Sequence, residues 1–168
     1  MEENAPRVIR KEGRPRVTVI EAIDLSKVFP NGHVALDGVS LKVNAGQIFC
    51  LLGANGAGKT TTIHIFFDFL KPSRGRALIR GIEVAARPLA AKRYAAYLSE
   101  DVALYEDLTA YENVRFFGRL GTGRQIGRTE CRDALAAVGL QEAFFDRSPR
   151  SFSKGMRQKV GLAVCVVR

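Results

Sequence analysis

Gly53-Ala-Asn-Gly-Ala-Gly-Lys-Thr60 matches G-x-x-x-x-G-K-[ST] at every fixed position. Each residue type has a chemical task in such a loop. Gly53, Gly56 and Gly58 let backbone N–H groups converge on phosphate oxygens, and a helix starting near Lys59 turns the positive end of its dipole toward the same anion. The Lys59 ammonium is placed to reach the β- and γ-phosphates of a nucleotide, and the Thr60 hydroxyl is suited to ligate Mg²⁺. Asn55 and Thr61 complete the set expected around the ligand. A chance glycine-rich turn is the bland alternative, and a full match between a buried strand and a helix leaves it little room.

The loop needs elements to hold it. Ile48-Phe-Cys-Leu-Leu52 is a continuous apolar run and reads as a central strand covered on both faces. Behind the loop, Ile63, Phe66, Phe67 and Leu70 have helical spacing over Thr60–Leu70, ending before Pro72. Upstream, Val17–Ile23 and Val39–Val43 alternate as two strands, with Pro30-Asn-Gly32 as a turn, so an antiparallel pair is expected. Ala77-Leu-Ile79 and Ala95–Leu98 read as further short strands. From Thr109 the pattern turns helical: Thr109-Ala-Tyr-Glu112 is a capping box for a helix to about Leu120, a second helix runs over Arg128–Val138 to Gly139, and a third begins near Ser153. That third segment, with Gly161–Val167 apolar all round, calls for burial on every side, and the strand it should lead into lies outside this sequence.

The chain has 168 residues, 46% of them hydrophobic, and should fold as one α/β domain over 17–168 behind a disordered arm at 1–16. Its formal charge of +9 invites a nucleic-acid partner. Lys and Arg are instead interleaved with acids along the whole chain, with no basic run and no aromatic ladder, so no nucleic acid is expected. The apolar stretch Val160–Val167 is far below the roughly 18 residues of a spanning helix, and Met1–Arg16 has no secretory core, which points to the cytoplasm. Three scattered cysteines, Cys50, Cys131 and Cys165, support neither a disulfide framework nor a zinc site and read as mostly buried thiols.

Leu52-Gly-Ala-Asn-Gly-Ala-Gly-Lys-Thr-Thr-Thr62, preceded by Leu36-Asp-Gly-Val-Ser-Leu41 and Gly46, closely resembles the ATP-binding-cassette (ABC) transporter ATPases, and the resemblance covers almost everything from Val17 to Arg168. It implies a P-loop NTPase core with an antiparallel β subdomain and an α-helical subdomain at about 105–160. It also implies that Phe29 stacks on adenine, although a plain core phenylalanine is the other reading. The family glutamine that ligates Mg²⁺ is matched in position by Glu100, which either serves the metal as a carboxylate or is a surface glutamate; its loop, Glu100–Asp107, is the expected permease-facing surface. Phe152-Ser-Lys-Gly-Met-Arg-Gln158 is similar to the family signature Leu-Ser-Gly-Gly-Gln and departs from it at Phe152, Lys154 and Met156. Alone, Ser153 is a helix cap; at family spacing, Ser153 and Gly155 are expected to bind the γ-phosphate held by a second subunit.

The resemblance therefore implies a subunit that binds ATP and Mg²⁺, dimerises with a like or related subunit, and drives a separate membrane permease from the inner face of the cell membrane. The signature variant is similar to the ABC-2 exporter type. The Walker B Asp-Glu and the switch histidine of the family would follow Arg168, and both histidines, His33 and His64, precede the signature. No catalytic residue is thus assigned within the chain, and weak hydrolysis by these residues alone is expected. A soluble ABC-type ATPase acting on ribosomes or DNA, and a non-enzymatic nucleotide-binding fragment, are the rival readings.

Overall fold

The computed structural model of the chain describes residues 17–168. The arm expected at 1–16 lies outside the described residues. Two compact units are present, one up to Ala85 and one over Ala86–Arg168.

In the first unit, β1 (Thr18–Val28), β2 (Val34–Asn44), β3 (Arg74–Ile79) and β4 (Ile82–Glu83) form an antiparallel sheet in the order β2-β1-β3-β4. The expected pair around Pro30-Asn-Gly32 is present, and both strands run longer than the alternation suggested. Polar interruptions hid the extra length: Asp24 sits at φ 49 in an irregularity between Ala22 and Leu25, where its N–H donates to Ser40 Oγ at 2.9 Å and its carboxylate meets Arg74 at 3.0 Å. Helix α1 (Lys59–Phe66) follows the glycine-rich loop and lies against β2 and β3, burying Ile65 and Phe66.

Two expectations for this unit are corrected. Ile48–Leu52 is not a strand: Ile48 is 97% and Leu52 91% exposed, and no strand among the described residues pairs with the segment. An apolar run reports what would be buried, whereas a strand also needs a ladder partner. Cys50, within that run, is therefore exposed rather than buried, while Cys131 is buried and Cys165 half-buried. Helix α1 ends at Phe66 rather than Leu70, because Asp68 turns left-handed at φ 55 and the His64 carbonyl accepts from the N–H groups of Phe69 and Leu70 at 2.8 and 3.3 Å.

In the second unit, a short helix α2 (Pro88–Lys92) precedes α3 (Ala110–Thr122), α4 (Arg128–Ala137) and α5 (Lys154–Val166). Helices α3, α4 and α5 pack on one another around Val114, Cys131, Leu135, Phe145, Val160 and Ala163. The boundaries follow the sequence signals closely, including Gly139 at φ 73 beyond α4 and Ser153 as N-cap of α5. Ala95–Leu98, expected as a strand, has no regular secondary structure and no ladder partner among the described residues. Helix α5 is also not buried all round: Val160, Gly161, Ala163 and Val167 face inward while Leu162 and Val166 are exposed, so an all-apolar stretch is served by one buried face.

The capping box at α3 is complete. Glu112 N–H donates to Thr109 Oγ1 at 3.1 Å, and Glu112 Oε2 accepts from Thr109 N–H at 2.8 Å and from the Thr109 hydroxyl at 2.9 Å. These bonds, led by the backbone one, hold the Glu112 carboxyl below its ordinary value. A depressed carboxylate pKa contributes stability that is present above the unfolded value and is lost as pH falls through the folded one. Thr109→Ala should cost about 1 kcal/mol at neutral pH. The difference between variant and parent should shrink in acid below the normal glutamate range, as read by urea melts across pH; a pH-independent difference would count against the carboxylate's part in the cap.

A candidate nucleotide site

Between the β2 entry and the start of α1 lies a cleft of about 270 Å³ lined by Phe29, His33, Ala35, Asn55, Gly56, Gly58, Lys59, Thr60 and Thr61. The fold thus brings Phe29 to the glycine-rich loop, as the sequence suggested. Gly58 makes that possible. It sits at φ 80, and a Cβ there would lie 2.5 Å from both the Ala35 carbonyl oxygen and Leu36 Cδ2, so the loop packs directly on the first residues of β2. As N-cap of α1, Gly58 offers no side-chain acceptor, and the first turn carries no acidic residue. The first-turn amides and the helix dipole are left to an anion from outside.

Lys59 is drawn across the loop, its ammonium donating to the carbonyls of Gly53 and Ala54 at 2.7 Å each. These bonds hold the loop curled and keep a cation in the cleft. On the other side Thr62 Oγ1 donates to the Gly58 carbonyl at 2.9 Å, fixing the loop's exit into the helix. Thr60 is exposed. Among the described residues no group of three or more His, Cys, Asp or Glu is arranged to hold a metal. Thr60, whose hydroxyl is an oxygen of the kind Mg²⁺ takes alongside phosphates and water, lines the cleft.

Phe29 stands beside His33, with ring centroids 6.2 Å apart and planes 15° from parallel, and Lys27 Nζ lies 5.5 Å from the Phe29 centroid. Phe29 is half-buried and lines the cleft, unlike a closed core residue. Sequence reasoning missed His33. The only available signal was the Pro30-Asn-Gly32 turn, which folds His33 back over Phe29.

The remaining expected site residues belong to the second unit. Ser153 accepts from Met156 N–H at 3.3 Å, Gly155 is exposed in the first turn of α5, and that turn has no acidic residue. Glu100 is ion-paired with Lys154 at 3.3 Å, Asp101 stands 3.7 Å from the same ammonium, and the Glu100 backbone carbonyl accepts from the Gln158 amide. Two of the departures from the family pattern, a carboxylate at 100 and a lysine at 154, are therefore neighbours of opposite charge. Both are well exposed, so the pair is worth about 0–1 kcal/mol.

Comparison with known proteins decides the family. The ABC transporter family model matches residues 36–168. The chain belongs to the ABC transporter family. An uncharacterised ABC transporter ATP-binding protein, YhcH of Bacillus subtilis (strain 168), is 33% identical over 150 residues, covering 89% of this chain and 48% of the relative. The daunorubicin/doxorubicin resistance ATP-binding protein DrrA of Streptomyces peucetius is 36% identical over 149 residues, covering 88% and 44%. A solved ATP-binding subunit of an ABC transporter superposes with a TM-score of 0.75 at 33% identity, over 89% of this chain and 62% of that one. A dimeric bacterial ABC transporter cassette has the same fold, with a TM-score of 0.76 at 23% identity over 88% and 69%. The chain spans about half the length of the curated relatives it matches. Among the described residues of this ABC transporter chain, no helix is long and apolar enough to cross a membrane.

Proposed function

We propose that this chain is the ATP-binding part of an ABC transporter subunit, holding Mg-ATP in the cleft between Phe29 and the loop Gly53–Thr60 and coupling its binding to a separate membrane permease. The carrying observation is one cleft that gathers Asn55, Gly56 and Gly58–Thr61 of the phosphate-loop motif, a helix start without a side-chain cap and an aromatic ring. Lys59 neutralises the terminal phosphates, Gly53, Asn55, Gly56, Gly58 and Thr61 surround the phosphate chain, and Phe29 takes the adenine face. Thr60 supplies an oxygen to Mg²⁺, the ion that screens phosphate charge when bound.

Ser153 and Gly155, at the Ser153-capped start of α5, whose first turn carries no acidic residue, would meet the γ-phosphate of a partner subunit in a homodimer or heterodimer, and solved cassettes described as dimeric support this reading. Permease attachment places the protein in the cytoplasm, peripheral on the inner face of the membrane. The exporter type is favoured by the Ser-Lys-Gly-Met signature variant and by the likeness to DrrA, a protein named for drug resistance. The test is Mg-ATP binding to the parent chain and to Lys59→Ala. Losing charge-assisted hydrogen bonds of about 1.5–3 kcal/mol should weaken affinity about 10–150-fold. Equal affinities would overturn the assignment.

A further inference from the structure

His33 is exposed, yet its position is fixed. Phe29 N–H donates to the His33 carbonyl at 2.9 Å, Gly32 N–H donates to the Phe29 carbonyl at 2.9 Å, and His33 N–H donates to Asn31 Oδ1 at 3.1 Å. The turn is thereby closed on itself, and the imidazole is held nearly parallel to the Phe29 ring, 6.2 Å away, in the wall of the cleft that holds Lys59 and Thr60. A core role does not account for an exposed ring, and the turn's hydrogen bonds use only the backbone of His33 and the side chain of Asn31. His33 and Phe29 together line the cleft.

We infer that His33 is a nucleobase-binding residue, forming with Phe29 a two-ring surface that selects a nucleoside triphosphate over the bare phosphate chain. The inference rests on the reading of Gly53–Thr60 as the phosphate site and adds to it a residue that contacts the base end of the ligand. An imidazole suits that end twice over. Its flat π-face stacks on a purine, and its ring nitrogens, one a donor and one an acceptor in the neutral ring, can meet a base edge or a ribose hydroxyl. Phosphate, which offers neither a π-face nor such an edge, gains little from it beyond charge.

The experiment compares ATP with inorganic tripolyphosphate, each with Mg²⁺, by calorimetric titration into the parent chain, His33→Ala, His33→Phe and Lys59→Ala. Base–aromatic stacking is worth about 1–3 kcal/mol by alanine substitution, so His33→Ala should weaken ATP roughly 5–150-fold and leave tripolyphosphate unchanged. His33→Phe, which keeps the π-face, should recover most of the ATP affinity. Unchanged ATP affinity in His33→Ala, or an equal loss for both ligands, would overturn the inference, the second because it reports a distorted loop or a phosphate contact. Lys59→Ala separates the two levels: it should weaken both ligands, and if it weakens neither, the phosphate-site reading fails whatever His33 does.

Discussion

Gly58→Ala should abolish measurable ATP binding while leaving the helical unit folded. The left-handed backbone at φ 80 costs a residue with a Cβ about 1–2 kcal/mol. The new methyl would also lie 2.5 Å from the Ala35 carbonyl, part of β2, which is tied along its length to β1, so that backbone has little room to retreat. The loop must move instead, and with it the start of α1 and the hydrogen bonds from Lys59 to Gly53 and Ala54. A displacement of these groups by even about 1 Å spoils converging contacts, so a loss beyond about 100-fold in affinity is expected. Calorimetric titration reads the loss, and the far-ultraviolet helix signal should stay near that of the parent. Parent-like ATP affinity in Gly58→Ala would show that the loop does not carry the site.

Asn113→Ala should be the most damaging polar substitution in the second unit. Asn113 is fully buried in α3, and its amide nitrogen donates to the carbonyls of Tyr105, Leu108 and Thr109 at 2.9, 3.2 and 2.9 Å while Oδ1 accepts from Tyr105 N–H at 2.8 Å. One side chain thus fastens the segment 105–109 to the helix that follows it. Truncation leaves the Tyr105 N–H and the Leu108 carbonyl without this partner, while the Tyr105 and Thr109 carbonyls keep the N–H groups of Leu108 and Asn113; at about 1–3 kcal/mol for each group left unpaired, a loss on the order of 2–4 kcal/mol is expected. Denaturant melts measure it, and amide exchange should speed up first at Tyr105. A loss under about 1 kcal/mol would mean that water replaces the amide at little cost.

Much of this was legible in the residues because local chemistry decided it. The capping box Thr109–Glu112, the cap at Ser153 and the stop at Gly139 are short-range devices, and each lies where the pattern put it. The family was equally legible, since glycine, lysine and threonine at the spacing of Gly53–Thr60 lie within the stretch that the ABC transporter family model matches. Ile48–Leu52 and Ala95–Leu98 were misread because a strand is completed by a neighbour, and composition does not report whether one is alongside. Asn113 and His33 escaped for a different reason. A polar residue on the buried face of a helix breaks the hydrophobic period, and a histidine behind a turn has no pattern until the turn is folded. The Glu100–Lys154 pair shows the same limit: two substitutions far apart in sequence acquire a relation only when the fold brings them together.

Amide hydrogen exchange with and without saturating Mg-ATP, read peptide by peptide, tests most directly where the nucleotide sits. Protection should appear at 53–62 and at 29–35, the segments that contain the cleft-lining residues, and should vanish in Lys59→Ala. Protection confined to residues 86–168, or none at any nucleotide concentration, would contradict an ATP site built on Gly53–Thr60.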